Sequence, residues 1–510
     1  MTVSPHADNR PAEQSGGDYD VVIIGAGISG IGAAYRLAES DPSTRYVILE
    51  RRERIGGTWD LFRYPGVRSD SSIFSLSWPW EPWTGQENVA DGDQIRDYIE
   101  DAARRHGIYP HIRFHTTVNS ADWDSTTDTW TVHATENGVA TNYRGRFVFF
   151  GSGYYNYDAP YTPEFPGIES YRGQVVHAQH WPDDLDCTGK KVVVIGSGAT
   201  AVSLVPALAR KADHVTMLQR SPGYLFSMPR ISAWMPPIQK YLPGKASYNT
   251  LRGIALMFEK VIWALSRGTP GVMKKIVRWQ NTKLLPANYP VERDFKPRYN
   301  PWDQRMCLVA DGDMFGAIKD GSVDVVTDHV DHFDATGIAL KSGRHLDADV
   351  VVAATGLNLL ALGGVQIRVD GTEVKPQDRF SYKAHMLEDV PNLIWCIGYT
   401  NASWTLRADI TARATAKLVN HMKTHGYTHA YPHPGAGPMP ETPTWDLQAG
   451  YVLRNAHALP KSSARRPWVV RQNFFADAFD YRFLDKIDED MVFGQVAKPA
   501  ELAAASPNSP

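Results

Sequence analysis

Val21-Val22-Ile23-Ile24-Gly25-Ala26-Gly27-Ile28-Ser29-Gly30 is the stretch on which the fold turns. Four consecutive apolar residues read as a buried strand and the glycines as a turn. Ile28, Ile31, Ala34 and Leu37 then fall on one face of a helix, and Tyr46 to Leu49 reads as a second strand. Strand, helix and strand in this order make a βαβ unit. The spacing Gly25-x-Gly27-x-x-Gly30 permits a tight turn, close backbone approach to a pyrophosphate and close packing of helix on strand. The helix N-terminus then directs N–H groups at the anion, and Ser29 adds a hydroxyl. Glu50 lies 20 residues beyond Gly30 at the end of the second strand, where a carboxylate accepts hydrogen bonds from ribose hydroxyls and repels a 2′-phosphate.

The same plan returns downstream. Val192 to Ile195 leads into Gly196-Ser197-Gly198-Ala199-Thr200-Ala201, a helix through Leu204 and Leu208, and a strand from Val215 to Leu218. Here Ala201 takes the third glycine's place, and the second strand ends in Gln219-Arg220-Ser221 with no acid. A guanidinium fork beside a hydroxyl suits a 2′-phosphate, so this unit favours NADPH over NADH. Ser197, Ala199 and Thr200 should lie against its pyrophosphate. Two such units predict an α/β protein with two dinucleotide-binding, Rossmann-like domains.

Between the units, Trp130 to His133 alternates as an exposed strand does and Phe147 to Phe150 reads as a buried one. The region from Gly223 to Arg298 is interrupted by prolines and rich in Trp, Leu and Lys, with helical periodicity near Leu251 to Leu265 and Val272 to Leu285. It reads as a helical insertion in the second unit. Val323 to Val326, Asp349 to Ala353 and Leu393 to Ile397 are strand-like, and Thr405 to Met422 follows a helix pattern; the strands should complete the two sheets. The expected division is 18–157 with 388–496 for the first domain, 158–222 with 305–387 for the second, 223–304 for the insertion, and disordered tails at 1–17 and 497–510.

The 510 residues, with 53 Lys and Arg against 56 Asp and Glu, have a net charge of −3 and no block of like charge, so no nucleic-acid partner is expected. Three distant cysteines, Cys187, Cys307 and Cys396, offer neither a disulfide framework nor a metal or redox pair. No apolar h-region precedes the first unit, and Ile254 to Leu265 is broken by Glu259 and Lys260. These features predict a cytoplasmic chain without a transmembrane segment, with weak attachment to a membrane surface left open. Oligomeric state is not legible.

Further motifs narrow the reaction. Gly56-Gly57-Thr58-Trp59-Asp60-Leu61 is followed by Arg63-Tyr64-Pro65-Gly66 and Arg68-Ser69-Asp70. This spacing resembles the pattern shared by type I Baeyer-Villiger monooxygenases of the class B flavin monooxygenases. Gly173-x-x-x-His177-x-x-x-Trp181-Pro182 is similar to that family's fingerprint between its nucleotide domains, with Tyr171 in the usual Phe place. Tyr154-Tyr155-Asn156-Tyr157, Asn300 to Arg305 and Gly398 to Thr405 resemble one branch, that of the ethionamide-activating monooxygenase. The likeness runs from about Asp20 to about Asp490.

The resemblance implies FAD along Gly25, Gly27, Ser29, Gly30 and Glu50, with Thr58, Trp59, Asp60 and Leu61 near the flavin and Val118 offering backbone to the adenine. It implies NADPH along Ser197, Gly198, Ala199, Thr200, Ala201, Arg220 and Ser221. Arg68, Ser69 and Asp70 fall where nicotinamide and flavin meet; Arg305 matches the catalytic arginine, which Asp70 would orient. His177 and Trp181 belong to the fingerprint, His177 with a conformational role. The implied reaction takes one oxygen atom of O2, through a C4a-peroxyflavin, into a small hydrophobic ketone to give an ester or lactone, with sulfides or thioamides as further substrates. A fixed guanidinium suits charge that develops on oxygen. One departure is Gln304, where many members have lysine, which leaves the coenzyme phosphate more dependent on Arg220. A related monooxygenase hydroxylating nitrogen or sulfur is the alternative. A flavin disulfide reductase would require a cysteine pair, and a non-catalytic NADPH sensor would have no use for Arg305 and Asp70.

Two other features have ordinary readings. His421, His425, His429 and His433 recur every four residues, but Gly426 and Pro432 interrupt any helix that would align them on a metal. Trp78, Trp80 and Trp83 read first as core and second as a substrate-cavity wall.

Overall fold

The computed structural model describes residues 14–496 apart from 446, 485 and 488. Val21 to Ile24 pair in parallel with Tyr46 to Leu49 on one side and with Phe147 to Phe150 on the other. All of these side chains are buried, as expected of a strand covered on both faces. Each fully buried aliphatic residue here contributes about 1.5–3 kcal/mol of hydrophobic stabilisation. The helix Ile28–Ser40 packs over them through Ile31, Ala33, Ala34 and Leu37, and the long helix Trp404–His425 packs beside it. Leu393–Trp395 joins the sheet next to Val148 to Phe150.

The second sheet has five parallel strands among the described residues, in the spatial order Val323–Thr327, His214–Gln219, Lys191–Ile195, Val350–Ala353 and Gln174–His177. The helix Ala199–Leu208 covers it. Two dinucleotide-binding folds are therefore present, as their turns predict. The insertion within the second fold is mainly helical: Met235–Tyr241, Gly244–Gly268, Pro270–Leu284 and the short Val291–Asp294.

Two expectations are corrected. The first strand begins at Gln14, so Gln14 to Gly17, assigned to the tail, instead pair with Thr141 to Tyr143; residues 1–13 and 497–510 lie outside the described residues. Gln366–Val369, Thr372–Val374, Ser381–Tyr382 and Met386–Leu387 belong to the first sheet, Gln366–Val369 pairing with Ser120 to Trp123. The chain thus returns to the first sheet soon after Ala353, well before residue 388. Short strands carry no mark of which sheet edge they will join.

Trp78 is fully buried and stacks on Trp80 and Tyr98, and the Trp83 ring meets the edge of Tyr98. These indoles are core and none borders the cavity described below. The histidine series is dispersed: His425 ends its helix before Gly426 (φ +75°), His429 pairs with Asp128 at 2.8 Å, and His433 with Asp389 at 2.8 Å. No helix among the described residues is long and apolar enough to cross a membrane.

Candidate active site

Both glycine-rich turns open onto one cavity of about 980 Å³ at the C-terminal ends of the two sets of parallel strands. Gly25, with φ of +98°, has the Gly151 carbonyl oxygen only 3.0 Å from where a Cβ would sit. Gly27 faces the Gly57 Cα at 3.6 Å in the same sense. The Glu50 carboxylate is 5% exposed and accepts hydrogen bonds from the Ala26 N–H (2.7 Å) and the Arg52 N–H (2.9 Å). Burial raises its pKa, against the pull of those two N–H groups. Ser29 Oγ accepts from Trp404 Nε1 at 2.8 Å, and Trp404 stacks on Tyr154. Thr58 and Trp59 line the cavity, Thr58 within hydrogen-bonding distance of the Tyr157 hydroxyl (3.3 Å), and Val118 lines it from the strand Thr116–Asp124.

At the second turn Ser197, Gly198, Ala199 and Thr200 line the cavity, and Ser197 Oγ donates to the Ser221 carbonyl at 3.3 Å. Arg220 is exposed on the cavity rim without an acid partner among the described residues, and Ser221 is beside it.

Four expected site residues lie behind the cavity wall. Gly30 is packed so closely on the Gly25 carbonyl that a Cβ would collide with it, and Ala201 is buried in the second core. Thr58–Leu61 forms a single helical turn, so its four side chains cannot share one direction. Asp60 and Leu61 are buried, and Asp60 holds Arg52 at 2.7 Å and Arg63 at 3.4 Å. Asp60 is thus an anchor of the surrounding loop.

Between the two turns Arg305 and Asp70 form a bidentate pair, Nε to Oδ2 at 2.8 Å and Nη2 to Oδ1 at 2.9 Å. Burial acts most strongly, against the guanidinium charge, but Asp70 together with the neighbouring Tyr451, Tyr154 and Tyr155 outweighs it and holds Arg305 above its ordinary range. Arg68 reaches across to Asp313 at 2.5 and 3.2 Å, and Ser69 Oγ donates to the Ser71 carbonyl. Tyr154 and Tyr155 share a hydroxyl hydrogen bond of 2.6 Å, and burial raises the pKa of both, as it does for Tyr451. Cys307, also on the wall, is pushed up to about 12 by burial and is therefore a thiol near neutral pH. A charged donor held by an acid and surrounded by neutral phenols is a site for negative charge developing on oxygen.

His177 and Trp181 do not border the cavity. His177 Nδ1 accepts from the Gln179 N–H at 3.1 Å, while the buried Gln179 amide donates to the carbonyls of Asn156 (2.8 Å) and Tyr157 (3.0 Å). The fingerprint thereby ties the second sheet to the segment that crosses from the first.

Sequence reading missed Tyr451, Arg454, Gln179 and Glu259. Arg454 lies over the Tyr161 ring at 3.5 Å and also lines the cavity. Glu259 reaches in from the insertion: its Oε1 accepts from Ser75 Oγ (2.7 Å), which meets Ser403 Oγ (2.6 Å), which donates to Ser71 Oγ (2.9 Å) on the cavity wall. Burial pushes the Glu259 pKa up to about 7, with Ser75 opposing. Tyr451, Arg454 and Glu259 belong to no local pattern, and Gln179 is an unspecified position within the His177–Trp181 fingerprint.

The family model described as flavin-binding monooxygenase-like matches residues 18–361. The chain belongs to this family. As a flavin-binding monooxygenase it is 46% identical over 459 residues to the FAD-containing monooxygenase EthA of Mycobacterium tuberculosis, covering 90% of this chain and 94% of that protein. A steroid monooxygenase solved with NADP matches with a TM-score of 0.73 at 22% identity, over 94% of this chain and 100% of that one. A cyclohexanone monooxygenase solved with ε-caprolactone matches with a TM-score of 0.71 at 19% identity, over the same shares. At such identity these two structures show the fold.

Proposed function

We propose that this flavin monooxygenase uses FAD and NADPH and performs Baeyer-Villiger oxidation, inserting one oxygen atom of O2 into hydrophobic ketones and also oxygenating sulfides or thioamides. The observation that carries this reading is the Arg305–Asp70 pair, set in the cavity shared by the two nucleotide turns. The names of the similar proteins agree: one is FAD-containing, one is bound to NADP, and one holds a lactone.

The residues fit both groups. Gly25 and Gly27 leave a cradle that a Cβ would fill, Glu50 stands at a ribose position, and Thr58, Trp59 and Val118 complete the flavin side. Ser197 to Thr200, with Arg220 and Ser221 at a 2′-phosphate, form the coenzyme side. Gly30 and Ala201 act through close helix packing and Asp60 through its loop. When bound, the flavin supplies O2 activation with electrons from the nicotinamide. Arg305 donates hydrogen bonds to the oxygen on which negative charge builds as the ketone carbonyl is attacked. Asp70 fixes the guanidinium plane and Arg68 and Ser69 shape the adjoining wall, while the His177–Trp181 fingerprint, through Gln179 and His180, holds the crossing segment that carries Tyr154 and Tyr155. These phenols, neutral by burial, exclude water without adding charge.

Incubation with NADPH, 18O2 and a panel of ketones, thioethers and amines tests the reading. Esters or lactones with one labelled oxygen are expected, with sulfoxides beside them; turnover confined to amines would overturn it in favour of a hydroxylase.

A further inference from the structure

The helix Gly244–Gly268 has two adjoining apolar faces, one buried and one bare. Its inner side, with Tyr248, Leu251 and Ala255, is buried against the first domain, where Arg252 donates to the carbonyls of Phe74 (2.7 Å) and Ser77 (2.8 Å). Its outer side carries Ile254, Met257, Phe258, Val261 and Leu265 at helical spacing, all exposed, Met257 at 55%. The neighbouring helix Pro270–Leu284 likewise leaves Val272, Ile276 and Trp279 exposed, Trp279 at 64%. Apolar faces of helices are normally covered, and bare ones of this kind mark an interaction surface.

Charge identifies what covers it. Residues 231–285 contain nine Lys and Arg against a single acid, in a chain whose cations are otherwise outnumbered. That acid is Glu259, which points inward to Ser75. Lys240, Lys245, Lys275 and Lys283 are exposed and have no acid partner among the described residues. A two-fold dimer through this face would set cation against cation, because such an interface meets its own copy. An anionic bilayer instead accepts the apolar stripe at the acyl boundary and the lysines at the headgroups, their stems lying along the apolar surface. The longer helix, about 37 Å at 1.5 Å per residue, would lie in the plane of the membrane.

We propose that the outer face of these two helices docks the enzyme on membranes containing anionic lipid. The docking needs no assumption about the reaction. Flotation of the flavin-loaded enzyme with vesicles of phosphatidylcholine, with and without phosphatidylglycerol, tests it. Binding to the anionic vesicles is expected to exceed that to the neutral ones by roughly tenfold and to fall with salt. The triple variant Met257→Glu/Val261→Glu/Trp279→Glu should lose flotation while keeping NADPH oxidation. The surface variant Lys245→Glu/Lys275→Glu/Lys283→Glu, which touches no packed residue, should lose roughly tenfold even if the first variant folds poorly. The proposal is overturned if the unaltered enzyme stays with the lipid-free fraction, or if the lysine variant floats as well as the parent. It is equally overturned if light scattering finds a lipid-free dimer that the apolar triple variant dissociates.

Discussion

At the first nucleotide turn a methyl group on Gly30 would strike the Gly25 carbonyl, Gly25 is pressed against Gly151, and a Cβ on Gly57 would come within 3.1 Å of the Gly27 Cα. At the second, Gly196 is at least as crowded as Gly25, a Cβ there meeting the Ala354 carbonyl oxygen at 2.3 Å, but Ala201 already fills the third position and a Cβ on Gly198 would meet nothing within 4 Å. Their acidic and basic ends differ too: Glu50 is buried and held by two N–H groups, whereas Arg220 is exposed with no acid partner among the described residues. One motif has been placed in a closed setting and in an open one. The closed setting suits a group that stays, the open one a coenzyme that exchanges.

Substitutions at equivalent places should expose this asymmetry. Gly30→Ala is expected to cost about 3 kcal/mol or more and to yield protein depleted in flavin, because backbone must move to admit the methyl group. Gly198→Ala, whose φ of −80° suits any residue, should retain flavin and melt within about 2 °C of the parent. Thermal melts followed by flavin absorbance decide it; equal losses at the two positions would break the comparison.

The next effect concerns buried carboxyls. Glu50 is satisfied by backbone, but Glu259, in the insertion of the open unit, has a hydroxyl on one oxygen and its other oxygen buried without a partner. Its folded pKa of about 7 lies above the ordinary 4.5, so the folded state binds the extra proton between those values. Stability from this group is therefore lost as pH rises from about 4.5 to about 7. Glu259→Gln should raise stability by about 2 kcal/mol at pH 8 and change it little near pH 5. Denaturant melts of both proteins at the two pH values measure this, and a gain independent of pH would contradict it.

The smallest effect is at the open end. Arg220→Ala should raise KM for NADPH roughly tenfold, leave KM for NADH within about twofold and leave flavin content intact. Steady-state kinetics with both coenzymes will show whether the exposed guanidinium reads the 2′-phosphate; a parallel rise for NADH would mean that it does not.

The contrast also marks what sequence can carry. The two turns were legible because glycine spacing, strand and helix are local. The difference between them was visible as Gly30 against Ala201 and Glu50 against Arg220; the crowding around Gly25 and Gly196 comes from Gly151 and Ala354, far along the chain. Arg305 and Asp70 were found through family likeness, because nothing local joins positions so distant. Tyr451, Arg454 and Glu259 had no spacing to betray them. Asp60 and Leu61 lie behind the wall that Thr58 and Trp59 line because a four-residue helical turn divides its side chains between cavity and interior. Gln14 to Gly17, polar and glycine-rich, have no strand pattern of their own and are ordered by pairing with Thr141 to Tyr143.

The central claim is that a guanidinium fixed by an acid, between a closed flavin unit and an open coenzyme unit, serves oxygen transfer. Arg305→Ala examined by rapid mixing with NADPH and by product analysis with a ketone tests it most directly. The account predicts retained flavin, NADPH-dependent flavin reduction within about tenfold of the parent rate, and ester yield lowered by roughly a hundredfold or more. Undiminished ester formation by this variant would contradict it.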